Sequence, residues 1–545
     1  MKKLLILILA LCMVLPLAAC DSGEKKPGED NKPATVQAWT IHGYEKTVVS
    51  TAPKGTLSNE YTVYLSKGET EGCQLAVYSD KALKNTTFTM KSGENEFIKT
   101  AIFSLDKSHK VGRKYYTDST IPYYGGRIMV EEKTVVPFMV EFTTDENTPA
   151  GDYEYVYEFK DREKKVLATF KVTVHVWDFA LPKDKTFATA VGAGGAWISG
   201  AGGNYEDWYN DILDHNMSCY DIPFDLLDER ADAYMSDPRV TSFLVPIPKN
   251  EDKTINEEKL LAYYNKVKSN PVWLEKAYFY PIDEPRDLEM LAELKEWEKK
   301  LTKLCPEIEI CAPYYTNIAV GGGKDQTEEM AEYTDLWCPK LCLWDDERSY
   351  GDFGISNSKS FEERMNEQIA KGDRMWCYVC NAPDDPYAQM FIDTKGENQR
   401  LMFWQMYQRD IEGFLYWSVT YYGYKEGPHP PEGTTVHMQD PWKTVNTKIP
   451  NDKGQAIYGC GFLFYPGSDV GVAGAVPSIR AKIVRDGCDD IEMLRFAEQY
   501  LGKDWLIAKT KEGTPTLTEF VNADKFAALR IEIGNAIEAA VKGNQ

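Results

Sequence analysis

The stretch Lys276–Thr316, KAYFYPIDEPRDLEMLAELKEWEKKLTKLCPEIEICAPYYT, decides how the rest of the chain is read. It opens with a short apolar run and turns at Asp283 and Glu284, which stand between Pro281 and Pro285. In the next segment Leu288, Leu291, Leu294, Trp297, Leu301 and Leu304 recur at helical spacing, and a second apolar run follows. A short apolar run, an amphipathic helix and another apolar run make one β–α–β unit.

The unit is repeated on both sides. FATAVGAG, MSCYDIPF and SFLVPIP precede it, and LWCPKLC, RMWCYVCNAP and GFLYWSVT follow. With KAYFYP and EICAPYYT these make eight runs, and FEERMNEQIAKGD and ENQRLMFWQMYQRDIE supply further helices. Eight apolar strands alternating with helices predict a (β/α)8 TIM-like barrel over residues 187–505. The competing fold is an open doubly wound sheet. Its nucleotide-binding fingerprint is absent, because GAGGAWISGAGG has neither the Gly-x-Gly-x-x-Gly spacing nor a helix directly after it.

Upstream the period is two. YEYVYEF places Tyr153, Tyr155, Tyr157 and Phe159 on one face, FKVTVHVW does the same with Phe170, Val172, Val174 and Val176, and KDREKK turns between them. With EYTVYLS, CQLAVYS and VVPFMVEFTT they predict a β-sandwich over residues 36–182. Residues 506–545 read as a C-terminal helical segment.

The first twenty residues, MKKLLILILALCMVLPLAAC, have a basic start, a short apolar stretch and small residues before Cys20. They read as an export signal. LAAC resembles a bacterial lipobox, which implies cleavage before Cys20 and lipidation of that cysteine; a plain signal peptide cut near the same alanines is the alternative. Residues 21–35 are polar and contain Pro and Gly, as a flexible tether does. The expected location is therefore the bacterial cell surface, with the membrane reached by a lipid anchor only.

Composition narrows the partner. A formal net charge of −22 and a pI near 4.9 exclude a nucleic-acid partner, since phosphate binding needs concentrated Lys and Arg. Aromatic residues make up 12% of the chain, and sugar rings stack on such side chains. The six histidines form no His-x-x-x-His pair. Cys377 and Cys380, three apart on a strand, point to opposite faces, and Cys338 and Cys342 lie in an apolar segment. No metal or organic cofactor is expected.

The acidic turn can now be placed. It follows the fourth barrel run at its carboxyl end, where barrel enzymes keep their catalytic groups. Pro281 should stop the strand near Tyr280, and each proline should hold the residue before it, Tyr280 or Glu284, in an extended conformation. Asp287 suits an N-cap for the helix beginning near Leu288, and the bland reading has Glu284 or Asp287 as that cap with Pro285 in the first turn. Adjacent carboxylates at a barrel mouth suggest glycoside hydrolysis, with one acid protonated and the other charged.

YPIDEP, GFLYWSV, NAPDDPYAQMFID, GCGFLFYPG and SIRAKIVRDGCDD, preceded by ENTPAGDYEYVYEF and VTVHVWDFALP, resemble glycoside hydrolase family 123 and its uncharacterised relatives. The resemblance runs from about residue 40 to 500. It implies a β-sandwich followed by a catalytic barrel and a retaining β-N-acetylgalactosaminidase activity. It further implies that Asp283 steadies the substrate's own acetamido group as that group attacks the anomeric carbon, and that Glu284 is the general acid/base.

Position at the carboxyl ends of strands nominates Tyr314, Tyr315, Trp344, Trp376, Tyr378, Asn381 and Trp417 as substrate-binding residues. Core packing is an equal reading of each aromatic. Asp345 and Asp384 are reserve acids. Arg480 and Arg485 read as structural ion-pair formers, and Pro428–Thr435 as a loop that would cover the site, with a disordered insertion as the equal reading. The expected function is removal of a terminal N-acetylhexosamine from a glycan or glycolipid. The alternative is a surface lipoprotein that binds glycans without cleaving them, for which an acid pair after strand four has no use.

Overall fold

The computed structural model describes residues 33–424, 435–451 and 453–543. The export signal, Cys20, most of the tether and nearly all of the Pro428–Thr435 loop lie outside the described residues.

The amino-terminal part is a β-sandwich of two five-stranded sheets. Strands Gly151–Lys160 and Val166–Ala180 pair antiparallel, with Tyr155 opposite Val172 and Tyr157 opposite Phe170. The inward set Tyr155, Tyr157, Phe159, Phe170, Val172 and Val174 meets Leu75, Phe138 and Val140 of the other sheet. A side-chain period of two requires this split, since a register slip of one residue would expose the whole set.

A parallel barrel follows. Its strands are Ala188–Val191, Phe243–Leu244, Ala277–Phe279, Glu309–Tyr314, Leu336–Pro339, Arg374–Val379 and Gly413–Tyr416. They neighbour one another in chain order from Phe243–Leu244 onward, and Ala188–Val191 pairs with Gly413–Tyr416. The run MSCYDIPF corrects the eight-strand expectation. It forms no strand, but it bridges the two remaining edges: Tyr220 N donates to Val191 O at 2.9 Å, and Leu244 N donates to Tyr220 O at 2.8 Å. Pro223 has no N–H to donate, so it cannot extend the pairing. The architecture is thus a (β/α)8-type barrel with one rung reduced to a bridge. Its interior is a layer of Ala188, Ala190, Tyr278, Cys311, Cys338, Trp376, Tyr378 and Leu415.

Helices Leu288–Leu304, Phe361–Ile369, Gly396–Tyr407 and Ile479–Leu501 cover the outside. Helix Ile479–Leu501 also faces the sandwich, and there its charges are buried: Lys482 and Arg485 both bind Glu141 at 2.8 Å. Arg480 likewise pairs with a sandwich carboxylate, that of Asp118. Both arginines are the ion-pair formers that the sequence suggests.

Two helices, Lys503–Gly513 and Ala523–Gly543, close the chain. Gly534 lies against the Trp177 ring so closely that a Cβ there would stand 2.2 Å from a ring carbon. Trp177 Nε1 donates to Asn535 Oδ1 at 2.9 Å, which ties this last helix to the sandwich. Among the described residues no helix is long and apolar enough to cross a membrane.

Candidate active site

The acidic turn is built by its neighbours. The strand ends at Phe279, and Asp287 caps the next helix by accepting from Met290 N at 2.9 Å. Between them the Pro285 carbonyl accepts from Gln326 Nε2 at 2.8 Å and from Thr316 Oγ1 at 3.2 Å, both buried donors. Glu284 has φ +46°, in the left-handed region. The extended conformation expected ahead of Pro285 is corrected here. Proline disfavours the right-handed helical region for its predecessor, and the chain escapes to the left-handed one. Such a residue costs on the order of 1–3 kcal/mol and persists only where its surroundings over-determine it, as the pinned Pro285 carbonyl does.

The turn gives the two acids different environments. Asp283 is exposed and accepts a hydrogen bond from Tyr280 OH at 2.7 Å. Glu284 turns inward, where its Oε1 accepts a short hydrogen bond from Tyr378 OH and stands 3.9 Å from Lys340 Nζ. Burial pushes the Glu284 carboxyl above its ordinary range, with Lys340 and the Tyr378 hydroxyl pulling the other way and Asp283 adding to the rise. The carboxylate pair is therefore split by environment, one acid favouring its proton and the other open to water.

Both acids open into one cavity of about 580 Å³, lined also by Tyr220, Tyr280, Tyr378, Asn381, Cys380, Pro313, Leu415 and Trp417. That volume is in the range of small-molecule sites.

Of the residues nominated from sequence, Asp283, Glu284, Tyr378, Asn381 and Trp417 come together here. Tyr315 stands behind them, its ring centroid 4.4 Å from Lys340 Nζ. Three others do not reach the cavity. Tyr314 faces the helices and packs on Trp337, because on its strand Cys311 and Pro313 take the inward positions. Trp344 is buried against Phe361. Trp376 points into the barrel but one layer down, edge-on to Tyr278. The reserve acids are also elsewhere: Asp345 accepts from Tyr387 OH at 2.6 Å, and Asp384 lies 3.4 Å from Lys453.

Tyr220, Lys340, Cys380 and Leu415 were missed. A lysine inside the apolar run LWCPKLC was a readable signal, since a buried cation needs a partner. Tyr220 carried no comparable mark.

Among the described residues one acid cluster could hold a cation by proximity, Glu69, Glu71 and Asp490. Arg400 and Arg530 already occupy it as counter-charges. It lies at the sandwich–barrel seam, and none of its members lines the cavity.

A model of the "Glycoside hydrolase 123, catalytic domain" matches residues 212–497. The chain is similar in structure to a family 123 glycoside hydrolase from Clostridium perfringens whose study concerns glycolipid glycan hydrolysis. The TM-score is 0.66 at 13% identity, over 93% of this chain and 98% of that one. A β-glucuronidase from Bacteroides uniformis gives a TM-score of 0.27 at 10% identity, over 73% of this chain and 47% of the other. An endo-β-1,4-mannanase from Thermotoga petrophila gives 0.28 at 11%, over 57% and 77%. Scores this low bear on nothing further. No curated protein sequence matches.

Proposed function

The chain belongs to glycoside hydrolase family 123, and from that membership we propose that it removes a terminal β-linked N-acetylgalactosamine from a glycan or glycolipid with retention of configuration. The observation that carries this reading is the split between neighbouring acids, Glu284 enclosed and Asp283 exposed at one cavity.

In the proposed reaction Glu284 gives its proton to the glycosidic oxygen as the bond to the leaving group breaks. The substrate's acetamido oxygen attacks the anomeric carbon, so no protein nucleophile is needed. Asp283, steadied by Tyr280, accepts the acetamido N–H and offsets the positive charge of the oxazolinium ring. Glu284, now ionised, takes a proton from the water that opens the ring. Adjacent carboxylates fit such substrate assistance, because the separated pair of a two-carboxylate mechanism is not required.

A screen of chromogenic glycosides with and without the 2-acetamido group tests this. Hydrolysis confined to 2-acetamido sugars, with tight inhibition by a thiazoline mimic of the bicyclic intermediate, is the expected result. Equal hydrolysis of both types would mean that a protein carboxylate or an activated water attacks instead.

We further propose that the protein works at the cell surface, held by a lipid on Cys20. Substitution of Cys20 by Ala should then release it from the membrane fraction into the medium.

A further inference from the structure

Behind the cavity wall, against Glu284, lies a cation that the reaction as described does not use. Lys340, the first residue after strand Leu336–Pro339, is only 4% exposed. Its ammonium lies 4.4 Å from the Tyr315 ring centroid, 5.5 Å from that of Tyr378 and 3.9 Å from Glu284 Oε1. A lysine so deeply placed is costly unless its charge is used. The two aromatic faces stabilise a cation but do not require one.

We infer that Lys340 is a positioning residue that holds the Glu284 carboxyl and balances its charge, so that one side chain can give a proton in the first half of the reaction and take one in the second. The inference rests on Glu284 as the acid/base of the proposed function. Its physical content is that the two halves make opposite demands. Enclosure favours a protonated Glu284, which suits bond cleavage, yet the water-activating half needs the same group ionised. A cation at 3.9 Å makes the ionised form accessible within that enclosure. The groups facing Glu284 from all sides are few: Asp283 and Arg286 on its own segment, Lys340, the Tyr378 hydroxyl and the Cys380 thiol. Of the two cations, Arg286 lies on the exposed side of the turn, so Lys340 is the enclosed one.

The test uses the full-length protein with Lys340→Met, Lys340→Gln and Lys340→Arg, assayed from pH 4 to 9. On a 2-acetamido glycoside with a poor leaving group, kcat/KM should fall at high pH as Glu284 loses its proton. Without the cation this limb should move up by about 1–3 pH units, as expected for losing an opposite charge at this distance. Above the wild-type limb the neutral variants should therefore cleave such substrates faster than wild type. On an activated aryl glycoside their kcat near pH 7 should fall, because water attack becomes limiting, while kcat/KM changes little. Lys340→Arg should stay near wild type in both respects. A limb that does not move in a folded Met or Gln variant overturns the inference, as does an equal fall of kcat and kcat/KM at every pH. The underlying reading fails separately, by wild type ignoring the 2-acetamido group or by Glu284→Gln retaining the high-pH limb.

Discussion

Arg480 and Asp118 meet in a bidentate ion pair from which solvent is excluded. Arg480 Nε donates to Asp118 Oδ1 at 2.9 Å, Nη2 donates to Oδ2 at 2.8 Å, and both side chains are 0% exposed. The two residues belong to different layers, the closing helix of the barrel and the sandwich. Tyr465 OH also donates to Asp118 Oδ2, at 2.6 Å, and Arg480 Nη1 donates to the carbonyls of Met390 and Gly459. Removing one partner strands a charge in the seam. Asp118→Ala should therefore destabilise by about 3–5 kcal/mol, whereas the double variant Asp118→Leu, Arg480→Met should recover much of that. Denaturant unfolding of the three proteins decides it. A double variant no better than the single one would mean that the other seam groups need Arg480 itself.

Glu284 and Asp283 should fail differently. Glu284→Gln should slow glycosides with poor leaving groups by about 10²–10⁴-fold and spare bond cleavage in activated aryl glycosides, whose aglycone departs with little protonation. Asp283→Asn should slow both types comparably, because oxazolinium formation precedes either departure, and should weaken thiazoline binding. Parallel kcat/KM measurements on the two substrate types provide the check. An identical response from both variants would remove the division of labour.

Tyr280 lines the cavity and donates its hydroxyl to Asp283. Tyr280→Phe removes one hydrogen bond to a charged group, so kcat on 2-acetamido glycosides should fall by about tenfold or somewhat more. Thiazoline affinity should fall by a similar factor while the melting temperature stays within about a degree or two. Loss of turnover with unchanged thiazoline affinity would show that Tyr280 acts elsewhere than on Asp283.

What the sequence made legible follows from how each signal arises. The change of period near Pro182 reports burial on one face of a strand or a helix, which is local, so both layers of the architecture could be read from it. The Asp287 cap was legible for the same reason. The cavity wall was only half legible. Side-chain alternation puts Trp376 and Tyr378 on the inner face of one strand, but two residues of strand rise, about 6.6 Å, separate the layer that packs the barrel from the layer that meets a ligand. Depth of this kind is set by where the strands stagger, which no single strand records. Tyr314 and Tyr315 were nominated together, although neighbours on a strand must point opposite ways. The left-handed Glu284 depends on donors from Thr316 and Gln326, distant in sequence, and so could not be read from the turn itself.

Glu298 offers a last prediction, away from the cavity. It lies on the inner side of helix Leu288–Leu304 and is buried, and its Oε1 has no partner among the described residues. Burial, with a smaller contribution from Asp335, pushes its carboxyl up to about 8. In the unfolded chain a glutamate titrates near 4.3. Between those values the folded protein holds a proton that the unfolded chain has released, so stability falls as pH rises through this window. Glu298→Gln removes the titration while keeping the shape. The variant should therefore match wild type near pH 4–5 and become progressively more stable than wild type up to about pH 8, with a constant difference beyond. Melting curves of the two proteins at matched ionic strength from pH 4 to 9 read this directly. A difference that does not change with pH would show that the Glu298 carboxyl titrates alike in the folded and unfolded chain, and would overturn the argument from burial.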